Sequence, residues 1–252
     1  MNKTKIDWCT MSWNPVTGCL HKCDYCYAHK ITKRFCTKQW DADGGLHVLD
    51  EAKKFDNSIG GDFDKPHYII DNYPYNFDPT FHKYRLNEPA RIKKPQTIFV
   101  CSMADLFGEW VPDEWIEKVF EACKKNPHHR YLFLTKNPER YKCFLHGKET
   151  LKNFWFGSTV TLESHNYYYH EKYNTFISIE PIQSSIEISI NTVETNWIII
   201  GRETGNRKDK IIPKKEWIEN IVNYCKEKNV PVFMKNSLKD IWQKSLIQEY
   251  PY

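Results

Sequence analysis

Residues 96–135 read QTIFVCSMADLFGEWVPDEWIEKVFEACKKNPHHRYLFLT, and they are the most informative part of the chain for its fold. An apolar run stands at each end, and neither run alternates as a strand with one face in water would. After Pro112, the spacing of Trp115, Val119 and Cys123 predicts a helix that ends in lysines and an asparagine. A buried strand, a helix and a second buried strand predict one unit of a parallel sheet covered by helices.

The same succession of an apolar run and polar residues recurs along the chain. A second clear helix follows Pro213, with Trp217, Ile221 and Cys225 at helical spacing. We therefore predict an α/β fold, a partial (β/α)6-type, TIM-like barrel, as a single domain over residues 1–252. The predicted strands cover residues 13–17, 96–101, 130–134, 153–160, 175–179, 196–200 and 230–234.

Residues 37–95 interrupt this succession with two Gly-Gly pairs and several prolines. The segment is too long for a barrel loop, so we interpret it as an insertion after the first helix. One reading is that the insertion caps the mouth of the barrel as a lid. The other is that it is a solvated excursion without a role.

Composition limits the function only broadly. The net charge is +4 and aromatic residues make up 15% of the chain. A nucleic-acid partner is compatible with this charge but is not required by it. No segment approaches the roughly 18 apolar residues of a membrane helix, and the N-terminus lacks the apolar stretch of a secretory signal. We expect a cytoplasmic protein without a membrane partner, whose nine cysteines are not a disulfide framework.

Residues 18–27, GCLHKCDYCY, carry the strongest chemical motif. Cys19, Cys23 and Cys26 are spaced C-x3-C-x2-C, and thiols this close in a reducing compartment usually hold a metal. With His21 or His29 as fourth ligand the set would suit zinc. A [4Fe–4S] cluster usually takes four cysteines, so three would leave one iron open to a small molecule.

The triad with Tyr25 before its last cysteine resembles the radical S-adenosylmethionine (SAM) superfamily. The resemblance implies a cluster loop after the first barrel strand, and a [4Fe–4S] cluster whose fourth iron binds SAM. Reductive cleavage of SAM then gives a 5′-deoxyadenosyl radical that abstracts hydrogen from a substrate, with a reductase or flavodoxin-type protein as electron donor. Further segments are similar to the phage Gp37/Gp68 family, whose members are often encoded beside a three-Cys-motif partner protein: DWCTMSWNPVTGC, CSMADLFGEWVPDEWI, FLTKNPERY, WFGSTV, SIEPI, IIIGRETGNR and PVFMKNSL.

The same resemblance implies roles for individual residues. The cysteine triad matches the cluster ligands, and Tyr25 matches the aromatic residue whose backbone lies near the adenine. Where the superfamily often has Gly-Gly-Glu for the SAM amino group, this chain has Ser102 and Asp105. Ser158 and Thr159 match the position that contacts the ribose.

The remaining expected site residues follow the last strands. By the same resemblance, Glu180 and Gly201 match positions near the place where the adenine edge is held, and Glu180 is also a candidate catalytic carboxylate. Arg202, Glu203 and Lys235 are candidates for contacts with carboxylates or substrate.

Plainer interpretations stay open for several of these residues. Glu180 could form a structural salt bridge, and the side chains of Ser158, Thr159 and Asp105 could cap loops. Cys9 and Cys36 could be thiols on the substrate side. The tyrosines of residues 165–174 could stack a base or simply pack as a loop. We expect the cysteines of the apolar segments to be core residues: Cys101, Cys123, Cys143 and Cys225.

Three functions remain open at this point. The first is a radical SAM enzyme acting on a small molecule or nucleic acid, such as a nucleotide or nucleobase. The second is a non-catalytic zinc- or Fe–S-bearing module that binds nucleic acid. The third is a SAM-binding protein that cleaves the methionyl side of SAM differently, or a repair lyase that acts on damaged bases.

Overall fold

The computed structural model describes residues 1–36, 43–56, 68–149, 151–186 and 194–252. The strands are β1 Asn2–Lys3, β2 Met11–Trp13, β3 Val16–Thr17, β4 His47–Leu49, β5 Lys54–Asp56, β6 Tyr68–Ile70, β7 Thr80–His82, β8 Thr97–Val100, β9 Arg130–Thr135, β10 Phe154–Thr159, β11 Asn174–Ile179, β12 Ile198–Ile200 and β13 Val232–Met234. The α-helices are α1 Tyr27–Phe35, α2 Asp113–Lys124, α3 Glu139–Phe144, α4 Lys215–Lys228 and α5 Lys239–Trp242. Three single 3₁₀ turns cover Lys83–Arg85, Pro89–Arg91 and Asn236–Leu238.

An eight-stranded sheet forms the body of the protein, in the order β1-β2-β8-β9-β10-β11-β12-β13. Every pairing from β2 to β13 is parallel, and only β1 runs antiparallel at the edge. The prediction of an α/β fold with a mainly parallel sheet is therefore confirmed. Each connection leads to the next strand along the sheet, so the carboxyl ends of seven successive strands meet at one edge.

Side chains alternate between the two faces of this sheet. Ile98, Phe133, Phe156 and their neighbours on one face pack against α2 and α3, and α4 covers the same face of the later strands. The other face holds an aromatic cluster around Trp8, whose ring lies 4.7 Å from that of Phe99 and 6.4 Å from that of Trp197. A flat sheet would separate β8 from β12 by about 19 Å. The sheet therefore curves strongly around Trp8.

The connection from β10 to β11 contains no α-helix, unlike those from β8 to β10 and from β12 to β13. Its tyrosines cover the sheet instead, because Tyr168 is buried and its ring lies 5.3 Å from that of Tyr141. This is the packed-loop interpretation of residues 165–174. Tyr169, by contrast, is exposed.

The first predicted strand, residues 13–17, is wrong in its bounds. The sheet strand β2 ends at Trp13, and β3 pairs with β7 in a separate three-stranded sheet that also contains β4. Pro15 separates the two strands, since it has no N–H for a sheet ladder. Its carbonyl accepts a hydrogen bond from His82 N in the same small sheet.

The insertion of residues 37–95 follows α1 as expected, although residues 37–42 and 57–67 lie outside the described part. The last third of the insertion packs into the core beside the main sheet, because Phe81 is fully buried and its ring lies 5.3 Å from that of Trp115. The β5–β6 hairpin, with the exposed side chains of Tyr68 and Ile70, is peripheral. A lid function for this hairpin stays a prediction. None of the described helices has the length and apolar character to cross a membrane.

Candidate active site around the cysteine loop

The cysteine loop, residues 18–27, is fixed at its first residue by two neighbouring segments. Gly18 N donates to Met103 O at 2.9 Å, and Cys19 N donates to Phe77 O at 3.0 Å. Gly18 has φ of +85°, and a Cβ there would lie 2.1 Å from the carbonyl oxygen of Asp78. Only glycine fits this backbone position, which sets the direction in which Cys19 leaves the sheet.

The three thiols lie on one loop but in different surroundings. Burial raises the pKa of Cys19 to about 12, with a backbone hydrogen bond from His21 opposing it. Burial also raises the pKa of Cys23, where the Lys136 ammonium opposes it. Cys26 precedes α1, and its Sγ accepts a hydrogen bond from His29 N at 3.4 Å. A helix N-terminus and an ammonium group both favour an anionic group bound by these sulfurs.

The thiols do not form a compact mononuclear metal site. Zinc binds sulfur at about 2.3 Å, so the sulfurs of a tetrahedral zinc site lie about 3.8 Å apart. Among the described residues, one set of three or more His, Cys, Asp or Glu donors has all its ligand atoms within 4.8 Å. That set is in the insertion and contains no cysteine.

Asp105 connects the cysteine loop to the ends of β8 and β9. Its Oδ2 lies 2.8 Å from His21 Nε2 and accepts from Lys136 N at 2.9 Å, while its Oδ1 accepts from Phe107 N at 3.0 Å. The side chain is buried and all of these contacts are within the protein. Asp105 therefore positions the loop, which is the capping interpretation, and its expected contact with SAM stays untested.

Two tyrosines of the loop contact the same strand ends. The Lys136 ammonium donates to the Tyr25 hydroxyl at 2.7 Å, and the Tyr27 hydroxyl donates to Ser102 O at 2.6 Å. The Ser102 hydroxyl itself donates to Asn14 Oδ1 at 3.1 Å. Sequence reasoning missed Asn14 and Tyr27, although both stand beside or within the cysteine motif. Asn14 accepts a further hydrogen bond from Met103 N.

Glu180, Gly201 and Lys235 form one row across the ends of β11, β12 and β13. The strand registers place them one position beyond Ile179, Ile200 and Met234, which pair across the sheet. The Lys235 ammonium forms an ion pair with Glu180. A Cβ on Gly201 would lie 3.0 Å from Lys235 Cδ and 3.3 Å from Glu180 Cδ, so the two side chains cross over this glycine.

This charged row lies close to the cysteine loop. The Tyr27 hydroxyl interacts electrostatically with both Glu180 and Cys26. Cys9, on the inner side of the sheet, interacts with Lys235. Burial raises the pKa of Cys9 to about 12, so its thiol is unreactive by itself.

The loop after β12 holds a second charged pair. Arg207 binds Glu203 with both ends of its guanidinium, at 2.9 and 2.8 Å, and these bonds lower the pKa of the carboxyl. Glu203 also interacts with Lys30 of α1, and Arg207 with Asp24 of the cysteine loop. Arg202 does not take part in this pair, since its guanidinium donates to Ser237 O and to the carboxylate of Asp240.

Ser158 and Thr159 occupy the last positions of β10 on opposite faces of the sheet. The Ser158 hydroxyl is fully buried and accepts a hydrogen bond from Tyr168 N at 2.8 Å. This hydrogen bond therefore holds the loop of residues 165–174 against the face of the sheet that the helices cover. Thr159 shares the inner face with Trp155, and of the two it is better placed for a ligand contact at the strand ends.

The model of the family described as "Protein of unknown function (DUF5131)" matches residues 3–244. The chain belongs to the DUF5131 family. No curated protein and no solved structure matches this chain. The matched DUF5131 region contains the cysteine loop, the Glu180–Lys235 row and the Glu203–Arg207 pair.

Three of the six other cysteines of this DUF5131 chain are core residues. Cys101, Cys123 and Cys225 are buried as predicted. The prediction for Cys143 is wrong, because it lies on the exposed face of α3. Cys36 is half-buried at the end of α1, and its role as a substrate-side thiol stays a prediction.

Proposed function

We propose that this protein is a radical SAM enzyme, in which Cys19, Cys23 and Cys26 bind three irons of a [4Fe–4S] cluster. The carrying observation is the position of the three thiols on one loop at the carboxyl edge of a curved, mainly parallel sheet. When bound, such a cluster supplies an open iron that chelates SAM and an electron that cleaves it to a 5′-deoxyadenosyl radical. A flavodoxin-type reductase is the class of protein that would deliver this electron.

The donor set fits this cluster better than it fits zinc. Three thiols that lack a common 4.8 Å spacing suit a group whose metal atoms each take one ligand. The surroundings also favour an anionic group, through the N-terminus of α1 and the Lys136 ammonium. His21 Nε2 is bound to Asp105, which leaves Nδ1 as the ring nitrogen that could bind a metal in the zinc alternative.

We further propose that the sheet forms a partial (β/α)-type barrel, and that the N-terminal segment fills the gap between the two edges of the sheet. Trp8 fills the interior, and Asp7 reaches the far edge of the sheet by accepting a hydrogen bond from Asn236 N at 2.8 Å. In such a barrel the carboxyl ends of the strands line the site. Glu180 and Lys235 then form its charged wall and are the proposed contacts for polar groups of SAM, while Asp105, His21 and Asn14 hold the cysteine loop rigid.

The proposed substrate class is a nucleotide, nucleobase or nucleic acid. Helix α1 supports it, because Lys30, Lys33 and Arg34 are exposed and the helix carries no acidic residue. The loop after β12 adds Lys210 near the same helix, since Lys30 and Lys210 both act on Glu203. Exposed cations beside a reactive centre suit a phosphate backbone.

Metal analysis of protein purified and reconstituted without oxygen tests the cluster. We expect about four irons and four sulfides per chain, and their loss when Cys19, Cys23 or Cys26 is replaced by Ala. Cys143→Ala is the matched control, because Cys143 is exposed and outside the loop. Zinc in place of iron, with salt-sensitive binding of nucleic acid, would instead identify a non-catalytic binding module.

A further inference from the structure

We propose that Asp43, His47 and Asp78 bind a zinc ion in a site separate from the cysteine loop. The three residues come from three short segments: one precedes β4, one begins β4 and one precedes β7. His47 Nε2 lies 3.5 Å from Asp43 Oδ1 and 3.4 Å from Asp78 Oδ2. All three ligand atoms lie within 4.8 Å of one another.

These distances match coordination better than hydrogen bonding. A charge-assisted bond between imidazolium and carboxylate is about 2.7–2.9 Å long. Ligands bound to zinc at about 2.0–2.1 Å in a tetrahedron lie about 3.4 Å apart. The nitrogen therefore stands at ligand-to-ligand distance from both oxygens, and water would complete four-coordination.

The electrostatic balance of the cluster also calls for a cation. Two carboxylates converge here, and within the described part of the chain their only ion-pair partner is His47. One imidazole with two carboxylates is a donor set suited to zinc, whereas Mg²⁺ and Ca²⁺ take oxygen ligands.

The three side chains are held in place by contacts of their own. The His47 ring stacks on Tyr75 with centroids 3.7 Å apart and planes within 5°. Asp78 Oδ2 accepts from Gly44 N at 3.0 Å, and Asp43 Oδ1 accepts from Gly45 N at 2.9 Å. Fixed orientation lowers the entropic cost of binding the ion.

The position of the site suggests what the ion does. The carbonyl of Asp78 lies against Gly18, and the carbonyl of Phe77 accepts the hydrogen bond from Cys19 N. An ion that joins Asp78 to Asp43 and His47 ties the insertion to the segment that supports the cysteine loop. We infer a structural zinc that stabilises this support.

Titration with Zn²⁺ and Co²⁺ tests the site in the Cys19/Cys23/Cys26→Ser variant of the whole 252-residue chain, in which no thiol of the loop can bind metal. We expect one zinc per chain, and a cobalt spectrum with ligand-field bands but without a thiolate charge-transfer band. Asp43→Asn and His47→Gln should each weaken zinc binding at least tenfold. Asp50→Asn is the control, because Asp50 is an exposed carboxylate of the same region that pairs with Lys83.

The same titration of the chain with its cysteines intact covers the case in which the triple variant fails to fold. There Asp43→Asn should remove one zinc equivalent and leave thiolate-bound metal unchanged. Absence of a thiol-independent zinc, or equal affinity in the Asp43, His47 and Asp50 variants, would overturn the proposal. Neither result depends on whether the cysteines bind a cluster.

Discussion

Replacement of Gly18 by Ala should displace the cysteine loop, and its cost can be worked from the contacts of this glycine. An L-residue at φ of +85° costs about 1–2 kcal/mol. The new Cβ would also lie 2.1 Å from Asp78 O and 2.4 Å from its carbonyl carbon, so the two backbones must separate. Separation from residues 77–78 breaks the hydrogen bond from Cys19 N to Phe77 O, at about 1 kcal/mol. We expect Gly18→Ala to lower the free energy of unfolding by about 2–3 kcal/mol in all.

Gly147→Ala is the matched control for this substitution. Gly147 has φ of +69°, and a Cβ there would meet nothing within 4 Å. Gly147→Ala should therefore lower the free energy of unfolding only by the cost of the positive φ, about 1–2 kcal/mol. Urea unfolding of both variants measures the difference, and iron content after reconstitution measures the effect on the loop. Equal unfolding free energies, or full iron retention in Gly18→Ala, would refute this account of the loop.

Three further outcomes are expected. Asp105→Asn places an amide donor opposite the donor Lys136 N. It should therefore lower the free energy of unfolding in urea by about 1–3 kcal/mol and reduce the iron retained by the protein. Stability and iron content equal to those of the parent would contradict the positioning role of Asp105. Burial holds the pKa of His82 well below its ordinary value of about 6.5. Below about pH 6.5 the unfolded chain therefore binds a proton that the folded chain does not. The free energy of unfolding should then fall by up to about 1.4 kcal/mol for each pH unit. His82→Gln should reduce that slope, and an unchanged slope would exclude His82 as its source. Lys30→Glu with Lys33→Glu should weaken binding of single-stranded DNA or RNA and reduce its salt dependence, while Lys124→Glu on α2 should not; equal effects would argue against α1 as the binding surface.

Much of the sheet could be predicted from the sequence because its strands are buried on both faces. Continuous apolar runs such as TFISI and NWIII, short and set between polar segments, are typical of strands in a parallel sheet. The failure at the first strand has a local cause, because Pro15 ends that strand early. After β10, buried tyrosines take the place of a helix, in line with the packed-loop interpretation of residues 165–174.

Apart from the cysteine motif of residues 18–27, the candidate site was predictable only where residues share a strand end. Glu180, Gly201 and Lys235 each follow an apolar run by one position, so the sequence indicates that they meet. The contact of His21 with Asp105 joins positions 84 residues apart and has no sequence pattern. The same holds for Asp43, His47 and Asp78, which belong to an irregular insertion without helical or strand periodicity.

The most direct test of the proposed chemistry is EPR spectroscopy of the anaerobically reconstituted, dithionite-reduced protein with and without SAM. The account predicts a reduced [4Fe–4S] signal that changes when SAM is added, together with formation of 5′-deoxyadenosine. A protein that holds zinc without iron, or a cluster signal that SAM leaves unchanged with no 5′-deoxyadenosine formed, would contradict it.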